Sequence, residues 1–168
     1  SETISPTIDG FQSEGEWADA TVYAFEDGAP ARLLTGLDAE HLYLLLDGFD
    51  EPTSIELLIP SAEPARGTTQ DGRGVGFGIT HELQLAFDQA CLGIATEEGT
   101  TDLTCYPASS ADGLWEGAIP IADLGTLEAG DRVLFRVVGA DGDLHPRSAP
   151  GFVQVPDIST VEVRFEAV

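Results

Sequence analysis

The sequence predicts an all-β chain, an antiparallel β-sandwich with jelly-roll or immunoglobulin-like layering. Three observations carry this. Apolar residues recur at every second position in several separate runs, as they do in strands with one face on a core. Nineteen Gly and ten Pro break the runs at short intervals. Asp-Gly pairs mark turns at Asp9-Gly10, Asp27-Gly28, Asp47-Gly48, Asp71-Gly72, Asp112-Gly113 and Asp141-Gly142. Short strands punctuated this way fit sandwiches and barrels.

The elements follow in order. Leu42, Leu44 and Leu46 share one face of a strand, with Tyr43 and Leu45 on the other. Both faces are apolar, which predicts a central strand. Ile55, Leu57 and Ile59 alternate with Glu56 and Leu58 until Pro60 ends the run. Residues 79–95 fit a strand through Leu83, Leu85 and Phe87, and also a helix through Ile79, Leu83, Phe87, Ala90 and Ile94. The alternation of Val75, Phe77 and Ile79 just before them favours strand. A helical turn is expected at Ile121-Ala122-Asp123-Leu124, closed by Gly125. Val133, Phe135 and Val137 form a further strand, and Val161, Val163 and Phe165 a last one. Neither a linker nor an internal repeat divides residues 1–168, so a single domain is expected.

Charge narrows the partners. Thirty acids face seven bases, all of them Arg, for a net charge of -23; Lys, Asn and Met are missing. Such a field repels phosphate backbones and anionic headgroups, so neither nucleic acid nor membrane is an expected partner. Cations and neutral ligands are favoured. No apolar run reaches the ~20 residues of a membrane helix, and no signal-peptide pattern opens the chain, so any signal is expected to have been removed. Cys91 and Cys105 lack the C-x-x-C spacing of redox or zinc sites. They flank a polar loop that a disulfide would staple, which predicts a bond and a secreted or cell-surface location.

Catalytic signatures are absent. His41, His81 and His145 form no H-E-x-x-H, and G-x-S-x-G does not occur. His41 and His145 are expected in exposed loops. Gly72, Gly74, Gly76 and Gly78 lack the Lys-Ser/Thr of a phosphate loop; as a strand they bare the backbone on one face, where another group can approach closely. Acidic turns at Asp47, Asp50 and Glu51, or at Asp141 and Asp143, are candidate calcium ligands. If a sugar stacks on this chain, Tyr106, before Pro107, is the first candidate ring. Phe49 in the acidic loop and Trp115 after Asp112-Gly113 follow, although Trp115 and Trp17 both read as core.

The order of motifs is also informative. Pro6-Thr7-Ile8-Asp9-Gly10 followed by Glu16-Trp17 and Ala20 resembles the opening of family 9 carbohydrate-binding modules. Asp38-Ala39-Glu40-His41-Leu42-Tyr43-Leu44 is similar to their D-x-x-x-L-Y-L strand, and Glu116 to Leu124 to their E-x-x-I-P-x-x-x-L segment. The later stretch from Ala118 to Asp157 resembles more closely the C-terminal accessory domain of glucodextranases and of family 57 amylases and amylopullulanases. This resemblance implies a β-sandwich and a noncatalytic module attached to a glycoside hydrolase, with an α-glucan such as starch, pullulan or dextran as ligand. A structural accessory domain that packs on its catalytic partner without binding sugar is the alternative. The tryptophan clamp of xylan-binding members does not carry over, because neither Trp17 nor Trp115 falls in a loop motif. The haem ligation of wider relatives needs Met or Lys beside His, and this chain has neither.

Overall fold

A computed structural model describes residues 6, 8, 17, 20–25, 30–69, 72–147 and 149–155. The strand expected at Val161, Val163 and Phe165 lies outside them, as do the first two Asp-Gly turns and Asp71.

The chain is an all-β antiparallel sandwich. In chain order the strands are β1 Thr21–Ala24, β2 Arg32–Leu37, β3 His41–Asp47, β4 Thr53–Leu58, β5 Arg66–Thr68, β6 Gly74–Ile79 and β7 His81–Ala86. They continue as β8 Gln89–Ala95, β9 Thr100–Ala111, β10 Leu114–Pro120, β11 Arg132–Val138, β12 Leu144–His145 and β13 Gly151–Gln154. One layer runs β1-β2-β3-β10-β9, the other β9-β8-β7-β4-β11, with β12 and β13 both on the outer edge of β11. β9 belongs to both. Its residues up to Pro107 pair with β8, and Ala108 to Ala111 pair with β10. Pro107, which has no N–H to donate, sits at the switch, and Ala108 N–H turns to Asp88 O.

The alternating runs hold. Leu42, Leu44 and Leu46 enter the main core, while Tyr43 and Leu45 pack with Trp17 and Leu34 in a second cluster on the outer side. Ile55, Leu57, Leu83, Leu85, Leu92, Val133, Phe135 and Val137 complete the main core from the facing layer. Free space between the layers is about 20 Å³, room for one water at most, so the interior is no ligand chamber. Residues 79–95 are strand, turning at Phe87-Asp88, and Ile121–Leu124 is a 3-10 turn ended by Gly125 at φ 87°.

Local chemistry explains the hairpins. Asp38 accepts from the N–H groups of Glu40 and His41 and from the Tyr43 hydroxyl, so the aspartate of D-x-x-x-L-Y-L sets the β2–β3 turn. Asp112 and Gly113 both have positive φ, 54° and 81°, which matches a tight turn between twisted strands. On the edge of β13 that no described strand pairs with, the Tyr23 hydroxyl donates to Phe152 O and accepts from Phe152 N–H, while its ring packs edge-on against Phe135.

Cys91 and Cys105 are directly paired across β8 and β9 and are bonded. Thiol labelling of the unfolded, unreduced protein should find no free thiol. Reduction should lower stability by about 3 kcal/mol, read as a shift in denaturation midpoint.

The β5–β6 ribbon lies over the outer face of the second layer. A Cβ on Gly78 would stand 2.4 Å from Pro64 Cβ, and one on Gly76 would meet Pro150 and Arg136. The protein itself thus fills the bare face at Gly76 and Gly78, whereas Gly72 and Gly74 face open space.

Candidate functional site

Among the described residues, three hollows of the sandwich are lined by polar side chains. The first is a groove of about 400 Å³ on the outer face of the second layer. Register builds its floor: Val138, Ser54, Gln84 and Cys91 lie side by side across β11, β4, β7 and β8, with Arg136, Glu56, Glu82 and Gly93 in the next row. Glu56 is 1% exposed and Glu82 2%, beneath the β5–β6 ribbon. Arg66, from β5, reaches both carboxyls at 3.3 and 3.2 Å and also donates to the carbonyls of Thr96 and Gly99. Glu82 accepts in addition from Gln84 Nε2 at 2.7 Å and Thr100 Oγ1 at 3.2 Å.

Two carboxyls in contact with one guanidinium share a proton. Burial, and then Glu82, push Glu56 up to about 8, so Glu56 is protonated at neutral pH and donates to Glu82. Burial works against ionised Glu82. The bonds from Glu56, Gln84, Arg66 and Thr100 outweigh it and hold Glu82 below the usual carboxylate range. The floor therefore carries one carboxylate balanced by Arg66.

The second place is a cleft of about 270 Å³ at the open end of the β7–β8 hairpin. Tyr106 forms one wall and gives its hydroxyl to Asp123 Oδ2 at 2.5 Å. Asp123 is positioned by the 3-10 turn, whose Leu124 plugs the core and whose Ile121 N–H bonds Glu40 O. Asp102 reaches the cleft from the irregular β8–β9 register, where its φ is 55°. His81, Leu92, Gly93, Ile94 and Thr104 complete the lining. Burial lowers the His81 pKa, so its ring is neutral at pH 7.

The third is a hollow of about 140 Å³ where Asp50 and Asp141 meet beside Pro30 and Thr53. The two acidic turns proposed separately from sequence thus face one another. Their other carboxylates are engaged elsewhere. Asp47 holds Arg32 at 3.0 Å, Glu51 accepts from Phe87 N–H, and Asp143 faces Arg73 and Arg147. Among the described residues no three metal-ligating side chains converge.

The expected rings divide. Tyr106 is partly exposed in its cleft. Trp115 is fully buried, its Nε1 donating to Ala86 O at 2.8 Å, and offers no face to a ligand. Phe49 is buried too, because the N–H groups of Gly48 and Phe49 both bond Gly113 O and draw the acidic loop inward. Sequence reasoning missed Phe87, 50% exposed at its turn and edge-on to Phe49; its strand-like period hid the turn. His145, expected in an exposed loop, is buried in β12 against Phe25, since β12 pairs with β11.

No family model, curated protein or solved structure matches this chain. Among the described residues, no helix is long and apolar enough to cross a membrane.

Proposed function

We propose that this chain is a noncatalytic carbohydrate-binding accessory module, secreted or at the cell surface, serving a glycoside hydrolase domain of the same protein. The observation that carries the reading is the Tyr106 cleft. It sets a partly open aromatic wall beside Asp123, Asp102 and Thr104, the pairing of ring face and polar rim that sugar rings use. Two features support a noncatalytic role. The buried Glu56 and Glu82 hydrogen-bond to each other, nearer than the ~5 Å that a retaining glycosidase leaves between its carboxyls, and Arg66 engages both. An α-glucan is the first ligand to test, from the family resemblance. The Cys91–Cys105 bond is in keeping with an oxidising compartment.

Affinity electrophoresis against starch, pullulan, xylan and a soluble cellulose tests this reading. Retardation by one polysaccharide is expected, with Kd on the order of 0.1–1 mM for a single stacked ring. Tyr106→Ala should abolish it while the protein stays folded. Unchanged migration in every gel would leave the structural accessory role, which the exposed Phe87, Ile94 and Leu103 favour as contacts for a partner domain.

Calcium belongs to this reading at Asp50 and Asp141, with carbonyls of the two turns completing the ligand set. The melting temperature should rise with millimolar calcium and fall with chelator. Equal midpoints would mean solvated turns.

A further inference from the structure

The Tyr106 cleft is unusual in its donor and acceptor inventory. Asp102 and Asp123 only accept. The Tyr106 hydroxyl proton is already given to Asp123. Asp102 has no partner among the described residues, and Asp123 keeps Oδ1 free of one.

His81 is neutral, and its Nδ1 lies 2.9 Å from Thr80 Oγ1. The two carboxylates therefore set the balance of the lining side chains towards accepting.

A glucan hydroxyl both donates and accepts, so such a lining satisfies half of its capacity. An ammonium only donates, and it brings a positive charge into the field of a chain with net charge -23. The apolar surface of Ile94 and the Tyr106 ring suits the C–H face of a pyranose.

We propose that this cleft selects a sugar bearing a protonated amine, a glucosamine-type unit, with its ammonium taken by Asp102 and Asp123 and its ring face laid on Tyr106. The proposal rests on the carbohydrate-binding reading and names the sugar class.

Calorimetry at mildly acidic pH and physiological salt tests it, with a glucosamine trimer, its N-acetylated counterpart, maltotriose and spermidine as probes. The trimer should bind at least about tenfold tighter than its acetylated form, as expected for a charge-assisted hydrogen bond. The double variant Asp102→Asn, Asp123→Asn should erase that preference. Asn tolerates the positive φ at position 102 and still accepts from Tyr106, so the fold is kept. The variant Asp88→Asn, Asp112→Asn removes the same charge from turns at the other end of these strands and should leave the preference intact. Equal losses in both variants would show a general field effect and overturn the proposal. Equal, Tyr106-dependent binding of the trimer, its acetylated form and maltotriose would overturn it and leave the carbohydrate reading standing. Spermidine binding as tightly as the trimer would remove the sugar from it. No binding by any sugar would sink both.

Discussion

The Glu56→Gln variant is expected to be about as stable as the parent at pH 5 and clearly more stable at pH 9. Glu56 sits near 4.5 when unfolded and near 8 when folded. A raised folded value means that its contribution is complete below pH 4.5 and is lost as pH climbs through 8. Above that, two carboxylates must share Arg66, with Arg136 on the neighbouring strand as the next cation. Glutamine keeps the geometry: its amide donates to Glu82 and its oxygen accepts from Arg66, with nothing to ionise. The loss in the parent amounts to several kcal/mol at most. His81 and His145, whose pKa values are lowered by burial, act in the opposite sense and gain stability as pH rises towards 6.5. They are common to both proteins, so the difference between the two curves isolates Glu56. Urea denaturation at pH 5, 7 and 9 measures it. Parallel curves would mean that Glu56 ionises freely.

Trp115→Ala should cost about 3–5 kcal/mol, the range for emptying a large aromatic site. The ring lies against Gly117, where even a Cβ would stand 2.4 Å from Trp115 Cη2, and Phe49 packs 6.1 Å away. Neither the glycine nor the strands beside it can collapse into the space. A domain of this size has ~5–15 kcal/mol to lose, so the variant is expected to be marginal at 37 °C. Trp115→Phe should lose only about 1–2 kcal/mol, chiefly for the unpaired Ala86 carbonyl. A midpoint for the alanine variant within error of the parent would contradict the core role.

Much of the layer structure was legible because alternation is local. Leu42 to Leu46 announces a strand covered on both sides, and Asp112-Gly113 announces its turn, without reference to the rest of the chain. The polar sites were not legible. Glu56 reads as an outward residue, and so it is relative to its sheet. It is buried only because Arg66 and the β5–β6 ribbon fold over that face from elsewhere. The glycine series was the one hint, since a strand face without side chains implies a close neighbour, though not which one. Phe49 and His145 misled for a related reason. Loop composition describes the solvent a segment meets alone, whereas Gly113 O and β11 decide where these two segments end up. Asp102, Asp123 and Tyr106 meet through pairing and a 3-10 turn, which no short window of sequence displays.

The hydroxyl of Tyr23 occupies both polar groups of Phe152 on β13, which lies at the edge of the described strands. One side chain there stands in for a neighbouring strand. Another molecule seeking to extend the sheet at that point would find the donor and acceptor it needs already taken, and a ring anchored on Phe135 in its path. The closure guards against edge-to-edge aggregation. It uses an aromatic plug, a device that works at any ionic strength, where a guard of like charges on this acidic surface would weaken as salt screens it.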